Sequence, residues 1–295
     1  MAVVQRYINL SAAASGDGTT NGESGATCAY VDMATWEAAE QTDLVTDTDS
    51  HVVDCDMGST TVKDTVAVTI DGWVISETYP LTVRGNRSSG TGFNDTGIWD
   101  PASYYTRSVD GFSSISHREA STTFDGLQIE IAKSNSSSTG WTSNTFVATD
   151  VTIKNCIVSV VSGYTSKSAI FIDHVSSAWT IFNNVFLDVG SANGAIVSDA
   201  NAGTLIYNNT FYGCGRALRI TSSVTGAYTF KNNAVFNSGT EDYLDDGTGT
   251  RTFDYNATDD PASGTAVPRG TNGKDLDNDT GGEWVASFTD HTTND

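Results

Sequence analysis

The chain reads as all-β, a solenoid in which each repeat is one coil of short strands. Three observations predict it. First, the segments VTIKNCIV (151–158), WTIFNNVFLD (179–188), LIYNNTFYG (205–213) and YTFKNNAVFN (228–237) superimpose on Ile153, Ile181, Ile206 and Phe230, at spacings of 28, 25 and 24 residues. Echoes at Phe124 and Phe253 extend the series by 29 residues upstream and 23 downstream. A period in the twenties made of β-branched runs marks stacked β-coils that bury their faces against one another. Second, a shorter alternating run lies between these segments: KSAIFID (167–173), GAIVSD (194–199), RALRIT (216–221) and EDYLDD (241–246). Alternation assigns Ile170 and Ile172, Ala195 and Val197, and Leu218 and Ile220 to the inner face. Third, Asn155, Asn183, Asn208 and Asn232 recur at one offset, with Asn184, Asn209 and Asn233 behind them. Asn accepts left-handed backbone angles at a bend, and a buried amide can donate to the coil on one side and accept from the other.

Residues 1–48 supply an N-terminal strand, RYINLSA (6–12), and a capping helix. An open solenoid end exposes strand edges and core side chains and needs a cover. Asp32 is placed as the helix N-cap, and Trp36, Ala39 and Ala29 or Leu44 as the sealing face. The coil stack spans 49–258 and starts with HVVDCDM (51–57), TVAVTIDGWVISE (65–77) and LTVRGN (81–86). Residues 87–121 are turn-rich and aromatic, which predicts a lateral loop insertion. Residues 259–295 hold Pro261, Pro268 and one dense apolar patch, EWVASF, and read as an irregular C-terminal segment. The ending resembles the approach to a further strand, so the expectation includes a chain that is part of a longer polypeptide.

The asparagine pattern resembles the ladder of right-handed parallel β-helices of the pectate-lyase-like superfamily, over residues 50–258. The style also resembles phage structural proteins of the tail or capsid decoration. The resemblance implies the fold, a right-handed parallel β-helix, and leaves the activity open. Composition narrows the partners. With 36 acidic against 15 basic residues the net charge is -21, which repels nucleic acid and anionic lipid. Charged residues are only 17% and hydrophobic ones 38%, which argues against disorder. The start lacks the charge and apolar length of a signal peptide, so a virion or extracellular location would be reached by another route. Cys28, Cys55, Cys156 and Cys214 lack metal spacing and are expected as buried free thiols, with a Cys28–Cys55 bridge as the alternative.

The chemistry is fragmentary. Phe171, Ile172, Asp173 and His174 resemble the Ile-Asp-His signature of pectate lyases, which implies Asp173 as a calcium ligand and an arginine, Arg216 or Arg219, as the proton-abstracting base. The rest of that signature does not follow, and no carboxylate pair is evident at matching offsets; an alignment of Asp199 with Asp173 across one coil stays open, because the loop between them varies the offset. Hydrolysis needs two carboxylates about 5 to 9.5 Å apart, and Glu130, Asp173, Asp188, Asp199, Asp242 and Asp245 offer pairs. Acidic runs at 241–246 and 273–283 read as solvated surface, with structural calcium as the alternative. Tyr104, Tyr105, Phe112, Trp141, Tyr164 and Trp179 are candidate rings for stacking on sugars or anchoring a protein partner. The preferred expectation is a non-enzymatic structural protein of a virus particle, acting in assembly or attachment. The alternative is a polysaccharide lyase or glycoside hydrolase.

Overall fold

The computed structural model describes residues 2–85, 98–132, 138–143, 150–161, 168–174, 176–189, 193–239, 241–258 and 274–275. The chain opens with β1 (Ala2–Asn9), α1 (Met33–Glu40) and α2 (Leu44–Asp47). Coils follow, each supplying up to three short strands. They are β2 (Asp49–Asp56) and β3 (Val68–Ile70), then β4 (Leu81–Gly85), β5 (Thr106–Val109) and β6 (Ser113–His117). Next come β7 (Thr122–Asp125), β8 (Gln128–Ile131) and β9 (Thr139–Thr142), then β10 (Val151–Lys154), β11 (Ile157–Val160) and β12 (Ser168–Ile172). The fifth and sixth coils hold β13 (Trp179–Phe182), β14 (Val185–Leu187), β15 (Ile196–Ser198), β16 (Thr204–Tyr207), β17 (Thr210–Tyr212) and β18 (Leu218–Ile220). The stack ends with β19 (Tyr228–Lys231), β20 (Ala234–Phe236), β21 (Tyr243–Asp245), β22 (Arg251–Asp254), β23 (Ala257–Thr258) and β24 (Lys274–Asp275).

Equivalent strands of successive coils pair in parallel into sheets of 9, 8 and 7 strands. The first sheet runs from β1 through β2, β4, β7 and so on to β22; the second contains β5 to β24; the third runs from β3 to β21. This is a parallel β-helix, as the period predicts. The inner side chains stack coil on coil. Phe124, Ile153, Ile181, Ile206 and Phe230 line the first sheet; Ile129, Val158, Phe186, Phe211 and Val235 line the second. Phe186 and Phe211 stack at 4.8 Å with planes 9° apart. Burying one such side chain contributes roughly 1.5–3 kcal/mol, against about 1 kcal/mol net for a hydrogen bond. Inner packing therefore carries most of the stability, and the polar ladder serves mainly to fix register.

Several expectations need correction. In the third sheet Ile170 pairs with Ile196 and Leu218, so Ile196 and Ser198 point inward while Val197 sits on the outer column. Val197 is nonetheless only 3% exposed, which is why hydrophobicity alone misassigns it. Residues 106–109 and 113–117, expected within a lateral loop, are coil strands β5 and β6. Residues 87–97 of that insertion lie outside the described residues. At the cap, Asp32 accepts from the Thr35 N–H at 2.7 Å, as expected of an N-cap. The sealing face is Met33, Trp36 and Leu44, whereas Ala39 is exposed. Trp36 packs on Trp73 at 5.7 Å and donates from Nε1 to His51 Nε2 at 3.3 Å. All four cysteines are free and buried.

The asparagine ladder is one residue later than expected. Asn155, Asn183, Asn208 and Asn232 all have φ between 53° and 56° and form the left-handed bend between the first and second sheets. That geometry turns Asn183, Asn208 and Asn232 outward into solvent. The ladder itself is Asn184, Asn209, Asn233 and Asn256. Asn184 Nδ2 donates to Asn209 Oδ1 at 3.0 Å, Asn209 Nδ2 to Asn233 Oδ1 at 3.0 Å, and Asn233 Nδ2 to Asn256 Oδ1 at 3.3 Å. Each Oδ1 also takes a backbone N–H from the coil before, beginning with Cys156 N on Asn184 at 2.9 Å. Bend and ladder are thus divided between the two members of each Asn pair.

Candidate functional site

Asp173 and His174 follow the last residue of β12, at the margin of the third sheet. Ser143, one coil earlier, holds their backbone: its Oγ accepts from Asp173 N at 2.7 Å and His174 N at 3.2 Å. His174 Nδ1 accepts from Ser176 N at 3.1 Å, which ties the ring to its own turn. The pairing of Ile172 with Ser198 and Ile220 puts Asp173, Asp199 and Thr221 on successive rungs of one column. A carboxylate pair at matching offsets therefore exists, which the sequence left unresolved because the intervening loop length obscured it. Rungs are about 4.8 Å apart, near the ~5–5.5 Å separation used by retaining glycosidases. Thr221 Oγ1 donates to Asp199 Oδ1.

The candidate arginines are committed elsewhere. Arg216 Nε donates to Glu241 Oε1 at 2.7 Å, in an ion pair with both side chains largely covered. Arg219, on the outer column after Phe171 and Val197, donates from Nη1 to Asn193 Oδ1 at 2.7 Å. Of the other carboxylates, Glu130 holds Lys63 at 2.7 Å and Ser108 at 2.5 Å, and Asp245 holds Arg251 at 2.8 Å. Asp188 takes a left-handed bend with φ 55°, and Asp242 is buried. Among the described residues no group of three or more His, Cys, Asp or Glu side chains is placed to hold a metal ion.

The proposed sugar-stacking rings divide sharply. Tyr105, Trp141 and Trp179 are buried in the core, because alternation within β9 and β13 and the turn before β5 aim them inward. They offer no platform. Tyr104 is half-buried and Phe112 exposed, while Tyr164 lies outside the described residues.

Sequence reasoning missed a charged cluster under the cap. Asp64 and Arg107 form an ion pair with both side chains 0% exposed. Tyr105 donates its hydroxyl to Asp64 at 2.5 Å, and Met33 N and Val66 N donate to the same carboxylate at 3.2 and 3.1 Å. Arg107 spends its remaining donors on Val66 O at 2.6 Å, Ser114 O at 3.2 Å and Ser114 Oγ at 3.2 Å. Burial alone would lower the guanidinium pKa, but Asp64 and Tyr105 beside it hold it above its ordinary value. Burial and then the Asp64 charge push the Tyr105 phenol well up. Closed to solvent and joined to the first turn of α1, this cluster is a latch between cap and coils. No local signal marks it, since its two charges are 43 residues apart.

No protein-family model matches this chain, and no curated protein or solved structure shows significant similarity to it. No helix among the described residues is long and apolar enough to cross a membrane.

Proposed function

We propose that the protein is a non-catalytic structural element of a virus particle, a capsid decoration, fibre or tail component that works in assembly or surface attachment. The observation that carries this reading is how Arg216 and Arg219 are used. Both serve as ties, to Glu241 and Asn193. Similar ties recur along the outside of the first sheet, where Arg84 binds Asp54 at 2.6 Å and Lys154 binds Asp125 at 3.2 Å. Coils joined inside by stacked rings and outside by ion pairs make a stiff rod, which suits a load-bearing or spacing role. The Asn column and the solenoid period support the parallel β-helix on which this reading is built, and both readings share them.

A second reading, a polysaccharide lyase or glycoside hydrolase, is favoured by one feature, the Asp173 and Asp199 pair on adjacent rungs. The experiment that separates them incubates the purified protein, with and without calcium, with uronate-containing and neutral polysaccharides. Reducing ends and unsaturated-uronate absorbance are both followed. The structural reading expects no turnover, together with density for this chain in a purified particle. Turnover abolished by Asp173→Ala or Asp199→Ala overturns it.

A further inference from the structure

The outer face of the first sheet carries two columns whose pattern goes beyond a structural role. One column, in register from β4 to β22, is Thr82, Thr123, Thr152, Thr180, Leu205, Thr229 and Thr252. The hydroxyls of Thr123, Thr152, Thr180 and Thr229 make no hydrogen bond among the described residues and point to solvent. The neighbouring column is Arg84, Asp125, Lys154, Phe182, Tyr207, Lys231 and Asp254. Phe182 and Tyr207 stack on each other at 5.0 Å with planes 4° apart. Beside them Leu205 is 44% exposed, where a threonine would keep the column uniform. Lys154 is held by Asp125, but Lys231 has no carboxylate within ion-pair distance among the described residues.

We propose that this face, centred on Phe182, Leu205, Tyr207 and Lys231, binds an uncharged linear polysaccharide lying along the helix axis. The chemistry matches at each point. Solvent-facing hydroxyls flank Leu205 on both sides at a rung spacing of about 4.8 Å, close to the length of one pyranose unit. They present donors and acceptors to sugar hydroxyls at that repeat. The Leu205, Phe182 and Tyr207 ledge covers the apolar C–H face of a ring, and the Lys231 ammonium donates to hydroxyl oxygens. Charge decides against a polyanion, because a protein of net charge -21 repels one at every range that salt leaves open. A protein partner fits less well, since the threonines and Leu205 are of types under-represented among the residues that anchor protein interfaces and Tyr207 alone of the four central residues is of an enriched type. This inference holds whether or not the chain belongs to a particle, and the site is separate from the Asp173 column on the third sheet.

The test is affinity electrophoresis and calorimetry of the intact chain against soluble β-glucan, dextran and alginate. The expected result is retention by a neutral glucan with little dependence on salt. Tyr207→Ala and Lys231→Gln should each weaken it by about tenfold, and Tyr212→Ala, an exposed ring on the second sheet, should leave it unchanged. Both variants alter outward side chains, and near-ultraviolet circular dichroism checks that the coil is intact. The proposal is overturned by retention of none of the glucans, by retention of alginate alone, or by equal retention of the two variants. It is also overturned if light scattering shows self-association that Tyr207→Ala abolishes in place of any glycan binding, which would assign the face to a second copy of the chain.

Discussion

Replacing Asn209 with alanine tests the ladder where it is most fully connected. Asn209 Oδ1 accepts from Asn184 N and Asn184 Nδ2, both at 3.0 Å. Its Nδ2 donates to Asn233 Oδ1 and Ile181 O at 3.0 Å and to Tyr207 O at 3.1 Å. After truncation the Asn184 amide keeps Ile153 O and Asn233 Oδ1 keeps the Asn209 N–H. The Asn184 backbone N–H has no replacement acceptor. One buried donor left unmade costs about 1–3 kcal/mol, and the remaining lost bonds add roughly 1 kcal/mol more, so Asn209→Ala should cost about 2–4 kcal/mol. Asn208→Ala differs in kind. Its side chain is exposed and φ is 56°, so the loss is left-handed strain of about 1–2 kcal/mol. Glycine separates the two: Asn208→Gly should restore stability, whereas Asn209→Gly should be at least as harmful as alanine. Guanidinium unfolding measures the difference, with unfolding rates replacing equilibrium values if refolding fails. A loss below about 0.5 kcal/mol for Asn209→Ala, or rescue of position 209 by glycine, would refute the division of bend from ladder.

Acid should loosen the N-terminal coils. Burial holds the His117 imidazole down to about 3 and the His51 imidazole down to about 4, so both are neutral in the fold. The unfolded chain takes up these protons near pH 6.5. Their contribution is whole above about pH 6.5 and is lost as pH falls through that value toward the folded values. Glu37 and Glu119, raised by burial, act with the opposite sign, losing stability as pH rises through their folded values. His117→Phe, which fits the edge contacts with Phe124 and Trp179, should therefore flatten the fall in melting temperature between about pH 6.5 and pH 4. An unchanged slope counts against it. Arg107→Ala should cost about 3–5 kcal/mol by stranding Asp64, and Arg107→Met with Asp64→Leu should recover much of that. A single-variant loss under about 1 kcal/mol would mean the latch is hydrated.

The coils were readable because three signals coincide in them: a branched or aromatic inner residue, an Asn pair, and a repeat that drifts only through its loops. Where one signal fails, the reading fails. β6, SSISH, has Ile115 as its one branched inner residue, and β5, TRSV, turns the charged Arg107 inward. Only a partner on another coil makes that burial tolerable, and a distant partner leaves no periodic trace. The ladder slipped by one residue for a related reason. Both members of NN are identical in chemistry, and what separates them is the sign of φ at the first, which turns one amide out and leaves the second inside.

The candidate site was less readable than the fold, because inner and outer positions obey different rules. Inner residues must satisfy packing and hydrogen bonding, so Trp141, Trp179 and Tyr105 are fixed there by alternation although they look like sugar-binding rings in the sequence. Outer residues are constrained only by their neighbours one rung away. The column Asp54, Arg84, Asp125, Lys154 alternates in charge as such neighbours require. At Phe182 and Tyr207 the alternation stops, and it resumes with Lys231 and Asp254. A solenoid gains nothing in stability from exposing Leu205 beside those rings, since a threonine would be as good a strand former and better hydrated. The interruption of a rule that the scaffold otherwise keeps is the physical reason to look for function on this face, and it becomes visible only once the register between coils is known.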